Sequence, residues 1–285
     1  MIIATVSIPF DVVSEKTRLD QIRNYLRVAG ERKAELLVLP EYLAYQRTVE
    51  GIAAQDSGKN FNAWTEPVPG GRYFEIMASA AKQYGMTVIY GTNEKQDDAH
   101  YYNSAAVVGP DGGLLGTHRK AILNSNESED PDVLPGDSLD LIATPLGKAA
   151  FFNCYEVYFP EIAAVYEQAD ADFFVYIHAD NDPWTETVAQ IRCFDAYMPM
   201  VCSCFQKCGP AYILNARGER IATETVADAD GLIIADVDLK ERARGRYFWN
   251  DDRQIDLRLM RRYQRRPELL QSLLKKQTVN HPLSQ

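Results

Sequence analysis

No stretch of this 285-residue chain stays apolar for anything near the roughly 18 residues that a membrane-crossing helix needs. A soluble protein is expected. A basic leader is missing too: the first ten residues, MIIATVSIPF, carry no charged side chain and read as a first strand, so export is not expected. Cysteine is sparse and odd in number, five in all. Scattered thiols of that kind argue against a disulfide framework and for a reduced, cytoplasmic setting. The triplet Cys202, Cys204 and Cys208 falls in an apolar run, MPMVCSCFQKC, without a histidine or carboxylate cluster, and is expected to be core rather than a metal site. Histidines number four (His100, His118, His178 and His281), and none sits in a clear catalytic pattern. Positive charge is short, with 30 Lys and Arg against 40 Asp and Glu, and the net of -10 disfavours nucleic acid as a partner. The shortage is uneven. From Lys240 to Lys276 there are 12 Lys and Arg against 5 Asp and Glu, a local +7 that leaves -17 for the remainder. That segment reads as a solvated or subunit-facing helical tail.

Present throughout is an alternation of strand-like and helix-like segments, the pattern of a layered α/β protein, with no linker and no internal sequence repeat. After a first strand over residues 2–8, Leu19, Ile22, Leu26 and Ala29 recur at helical spacing behind a Ser14 cap. ELLVLPE is a strand ending at Pro40 and Glu41, and a helix from about Tyr73 to Tyr84 leads into the strand MTVIYGT. YYNSAAVVG and GLLGTHRK flank the turn PDGG as a hairpin. The second half continues in the same rhythm: GKAAFFNC (strand), PEIAAVYEQ (helix), ADFFVYIHA (strand), WTETVAQIRCFDAYM (helix), then the strands MVCSCF, AYILN and LIIADVDL. The polar stretches 92–100 and 124–140 read as loops.

Three chemically able residues each follow a strand: Glu41, Lys120 and Cys154. Singly, each has a plain structural explanation, a solvated charge or a core thiol. In an α/β sheet, however, strand ends converge on one crevice, and together the three supply a base, a cation for a developing oxyanion and a nucleophile, the parts that acyl transfer through a thiol needs.

The segments LVLPEY, HRK and NCYEVYFPE strongly resemble, in order and approximate spacing, the three motifs of the nitrilase-like carbon–nitrogen hydrolase superfamily. Further likeness lies in GPDGGLLGTHRK, in PGD at 135–137, in Trp184 followed by Arg192, in GLIIADVDL and in RRPELL. The resemblance implies an α/β fold, a four-layer αββα sandwich, forming a single domain over residues 1–285 with a C-terminal tail from about 250 packing at a subunit interface. It implies a homodimer or higher homo-oligomer, no metal or organic cofactor, and a small amide, carbamoyl or nitrile substrate. Cys154 would attack the substrate carbon, Glu41 would move protons, and Lys120 with the Tyr155 backbone N–H would stabilise the oxyanion; replacing Lys120 would then cost catalysis more than folding. Glu156 is expected to hold the turn. The aromatic residues near the motifs, Tyr42, Tyr155, Tyr158 and Phe159, point to a partly apolar pocket, and substrate contacts are expected from Tyr155, Tyr158 and His178.

The family pattern includes a second glutamate after the lysine. Counting forward from Lys120 favours Glu127, and counting back from Gly136 favours Glu129; we place it at Glu129. The chain departs from the pattern at RCFDA (192–196), where many relatives carry Arg-Ala-x-Glu-Asn. Position 158 is Tyr158, where carboxylate-gripping relatives have arginine, and Tyr155 stands where true nitrilases usually have tryptophan. An amidase is therefore the leading expectation, a nitrilase the second, and an idle binding scaffold the third, opposed by the complete set of Glu41, Lys120 and Cys154.

Overall fold

The computed structural model describes residues 1–56, 64–179, 182–206, 209–222, 226–246, 253–266 and 268. The chain divides into two compact units, residues 1–241 and 242–285. The first unit runs β1 (Ile2–Ile8), α1 (Glu15–Glu31), β2 (Leu36–Val38), α2 (Val49–Asp56), β3 (Thr65–Glu66), α3 (Arg72–Tyr84), β4 (Thr87–Lys95), β5 (Tyr101–Val108), β6 (Leu114–Arg119) and α4 (Ser125–Glu129). It continues through β7 (Ile142–Thr144), β8 (Gly147–Asn153), α5 (Pro160–Gln168), β9 (Phe173–Ile177), α6 (Thr185–Ala196), β10 (Met200–Phe205), β11 (Tyr212–Leu214), β12 (Arg220–Ala222) and β13 (Leu232–Asp236). The second unit holds the hairpin β14 (Arg244–Arg246) and β15 (Gln254–Asp256), then α7 (Leu257–Gln264).

The main path of the sheet is β6-β5-β4-β2-β1-β10-β9-β8-β7. Its two halves meet where β1 runs parallel to β10, with Ser7 opposite Cys204 and Ile8 opposite Phe205. Side chains strengthen that short seam: Thr5 Oγ1 donates to the Cys202 carbonyl and Ser203 Oγ to the Val6 carbonyl, both at 2.7 Å.

Strand alternation builds the layers. In β2, Leu37 faces a cluster with Leu19, Ile22 and Leu26 of α1 and Met77 of α3, while Leu36 and Val38 face the opposite way. In β8, Phe152 faces Ile162 and Tyr166 of α5 and Ala189 of α6, while Phe151 faces Leu36, Val38 and Ile89 of the other half-sheet. The two half-sheets thus pack face to face with helices outside each, the expected αββα arrangement. Each fully buried large apolar side chain in this double core contributes about 1.5–3 kcal/mol.

Local signals were largely sufficient. Ser14 caps α1 by accepting from the Thr17 N–H at 3.1 Å, and α3 spans Arg72–Tyr84 and ends at Gly85 in the left-handed region, φ 68°. Two polar stretches differ from expectation. Residues 92–95 extend β4 because Thr92, Asn93 and Glu94 are buried, with Glu94 accepting from Ser104 Oγ at 2.8 Å and pairing with Arg119 at 2.6 Å. Residues 125–129 form the short helix α4 inside the segment read as a loop.

Candidate active site

Glu41 follows β2 after Leu39 and Pro40, Lys120 directly follows β6, and Cys154 directly follows β8. The strand ends do converge. Lys120 Nζ lies 3.2 Å from Glu41 Oε1, and Glu41 and Cys154 line one cavity of about 390 Å³. All three are buried, with Lys120 fully inaccessible and Cys154 7% exposed. Cys154 begins a short 3-10 turn, Cys154–Tyr158, and its φ of 53° lies in the left-handed region that non-glycine residues enter only at a cost of about 1–3 kcal/mol. The packing of β8 and the clamp by Glu156 hold it there.

Glu156 is that clamp. Its carboxylate accepts from the Asn153 N–H at 2.8 Å and from the Ala121 N–H at 2.7 Å, and lies 2.8 Å from His118 Nε2. It therefore ties the turn of Cys154 to the residue after Lys120, the structural part expected of it.

The second glutamate beside Lys120 is Glu127. Its two oxygens lie 3.0 and 2.8 Å from Lys120 Nζ, whereas Glu129 is exposed. The placement at Glu129 is corrected, and the reason is helical. Asn124 caps α4 in a capping box, accepting from the Glu127 N–H at 3.0 Å while Glu127 Oε2 accepts from the Asn124 N–H at 2.9 Å. The box turns Glu127 inward and leaves Glu129, two residues on, on the outer side. Asn at 124 followed by Glu at 127 was a readable signal that family spacing overrode.

Asn103, which the motifs do not mark, and Tyr42, expected only as an aromatic of the pocket, complete the cluster. Asn103 Nδ2 donates to Glu41 Oε1 at 2.7 Å and to Glu127 Oε1 at 2.6 Å, and Asn103 Oδ1 accepts from Asn153 Nδ2 at 2.9 Å. The Tyr42 hydroxyl donates to Glu127, and the Ala179 N–H to Glu41 Oε2 at 2.9 Å. The one trace of Asn103 in the sequence is a polar residue within the apolar strand YYNSAAVV.

Electrostatics hold the cluster charged. Burial alone would lower the pKa of Lys120, but Glu41, Cys154 and Glu127 outweigh it and raise it above the ordinary 10.5. Burial would raise the pKa of Glu127, but Lys120 and hydrogen bonds from Lys120, Tyr42 and the Asn124 backbone hold it below 4.5. Burial and then Glu127 keep Tyr42 a neutral donor well above pH 10. The result is a fixed ammonium with two carboxylate partners beside a thiol.

Of the expected substrate contacts, Tyr155 lines the cavity. Tyr158 does not: its hydroxyl donates to Asp182 Oδ2 at 2.9 Å and lies 3.3 Å from Thr185 Oγ1 at the start of α6. His178 is buried and stacked on Tyr176, with ring centroids 4.5 Å apart, and does not line the cavity either. Trp184 is 66% exposed, neither core nor cavity wall. Cys202 and Cys204 are buried in β10, and Cys208 and His281 lie outside the described residues.

Residues 2–247 match the carbon–nitrogen hydrolase family. The chain belongs to that family. Among curated members it is 27% identical over 265 residues to an omega-amidase of Xenopus tropicalis, covering 86% of this chain and 89% of that protein. A match to an omega-amidase of Xenopus laevis, 29% identical over 170 residues, covers 57% of this chain but only 58% of that relative's length. Among solved structures, a mutant amidase from Nesterenkonia sp. AN1, with acrylamide added at its active-site cysteine, superposes with a TM-score of 0.71 at 17% identity, over 96% of this chain and 99% of that one. The family fold thus agrees with the layers described above.

Proposed function

We propose that this carbon–nitrogen hydrolase is a thiol-dependent amidase, cleaving a small carboxamide or carbamoyl compound through an acyl-enzyme on Cys154 and releasing ammonia or an amine. The observation that carries the reading is the Lys120 ammonium held between Glu41 and Glu127 at a cavity that Cys154 also lines. Cys154 Sγ, as thiolate, forms a bond to the carbonyl carbon. Lys120 and the Tyr155 backbone N–H carry the charge that develops on oxygen. Glu41, holding the thiol's proton, gives it to the leaving nitrogen as the carbon–nitrogen bond breaks, then takes a proton from the water that attacks the thioester. The acid leaves and the thiol is restored. Support comes from the omega-amidase relatives and from the Nesterenkonia amidase, whose structure carries its adduct on cysteine.

The test is ammonia release from a panel of small amides, carbamoyl compounds and nitriles, with intact-protein mass spectrometry of wild type and Cys154→Ala. Turnover of amides and an acyl adduct, both lost in Cys154→Ala, are expected. Substantial turnover by the alanine variant overturns the mechanism, and turnover of nitriles alone replaces the amidase with a nitrilase.

We propose further that the protein is a homodimer or larger, with the segment from about residue 250 at a subunit interface. Val165 on α5 and Ile191 and Phe194 on α6 are each about half exposed, the apolar surface that pairing through these helices would cover. Light scattering of the full chain and of Phe194→Glu is the check; an oligomer that dissociates in the variant is expected.

A further inference from the structure

Charge around the nucleophile is unbalanced. Glu41 and Glu127 share one cation, Lys120, and a third carboxylate, Asp130, also lines the cavity. Asp130 caps the C-terminal end of α4, three residues after Glu127. Residues so spaced stand on one helix face, roughly 5–6 Å apart at Cβ, so the helix that sets Glu127 against Lys120 carries Asp130 to the same cavity. Asp130 Oδ1 accepts from the Asp132 N–H at 3.0 Å; its other oxygen has no partner among the described residues. No Arg or Lys is among the described residues lining the cavity, and Lys120 behind it is already shared by two carboxylates. Four tyrosines also line it: Tyr42, Tyr45, Tyr101 and the 38%-exposed Tyr155. Aromatic faces attract alkylammonium groups, and a half-enclosed negative cavity concentrates cations and repels anions.

We infer that Asp130 is a specificity-determining residue and that the substrate of this site carries a cationic group, an alkylammonium, apart from the scissile carbon–nitrogen bond. The inference rests on the reading of Cys154 as nucleophile. Among the described lining residues, a carboxylate-bearing amide would meet three carboxylates and no Arg or Lys to receive it.

The test reads charge selection at Cys154 both without and with turnover. Three methanethiosulfonates, aminoethyl (cationic), methyl (neutral) and sulfonatoethyl (anionic), are reacted with the full chain. Modification is located by peptide mapping and rates are normalised to those of a small thiol. The expected order is cationic, then neutral, then anionic. Asp130→Asn, which keeps the Oδ1 acceptor, should lower the cationic-to-neutral ratio about tenfold, as loss of a charge-assisted contact would. An anionic preference in wild type, or an unchanged ratio in Asp130→Asn, overturns the inference. In parallel, ammonia release is measured from pentanamide, 5-aminopentanamide and the monoamide of glutaric acid. Charge selection at Cys154 without hydrolysis of any amide would overturn the amidase reading and uphold the role of Asp130; hydrolysis favouring the anionic amide would do the reverse.

Discussion

Lys120 changes meaning once its surroundings are known. From sequence, its loss was expected to touch catalysis more than folding. Fully buried between Glu41 and Glu127, it is also what keeps two buried carboxylates from facing each other without a cation. Lys120→Met should therefore cost about 3–5 kcal/mol in urea unfolding, as removal of one partner from a buried ion pair does, besides abolishing turnover. The two glutamates of α4 separate in the same way. Glu127→Gln should lower kcat by about 100-fold through a misplaced Lys120, while Glu129→Gln, on an exposed side chain, should leave kcat unchanged. Equal losses in the two variants would contradict the assignment. Asn103→Leu removes one donor from each of two charged acceptors, each such bond being worth about 1.5–3 kcal/mol. Because it strips a hydrogen bond from the ionised form of Glu127, it should also raise that group's pKa, visible as an acid limb of the stability curve displaced to higher pH.

At the level of elements, the backbone of β4 lies directly against the segment that carries Glu41, the proposed base. A Cβ on Gly91 would come within 2.5 Å of Glu41 Cα and 2.6 Å of the Pro40 carbonyl, so only glycine permits this approach. Gly91→Ala should destabilise the fold by about 1–3 kcal/mol through overpacking and lower kcat by displacing Glu41; an alanine variant with wild-type kcat would show that the contact yields without moving the base. Such close approaches explain what the sequence did and did not disclose. Strands β2 and β8 are legible as short apolar runs and β6 as the second arm of a hairpin behind PDGG, which places Glu41, Lys120 and Cys154 at their ends from the sequence alone. Helix α4 was not, because five residues rich in Ser, Asn and Glu carry no apolar periodicity; only its capping box marks it. Asn103 was hidden for the opposite reason: its position in β5 reads as strand whatever the side chain does, and only the meeting of β5 with Glu41, Glu127 and Asn153 gives it work. Tyr158 and His178 were misplaced because proximity in sequence to a motif does not fix which face a side chain takes.

For the whole molecule, the ionised cluster sets a pH window. Glu127, depressed below 4.5, contributes stability that is present above that pH and lost as pH falls through its lowered value; Lys120, raised above 10.5, contributes stability that is present below that pH and lost as pH rises through its raised value. Unfolding free energy should thus be broad between these limits, and Glu127→Gln should shrink the acid-side loss. A larger consequence follows from the seam. Glu41 and Lys120 extend from one half-sheet and Cys154 from the other, and the halves are joined along the main path by two residue pairs between β1 and β10. On the proposed mechanism, turnover depends on the docking of two blocks, each of which has helices to cover its outer face. Mild urea that lets the blocks slip by an ångström should then silence turnover while the circular dichroism stays native, so this site is a gauge of alignment between the two half-sheets, read by activity before secondary structure is lost.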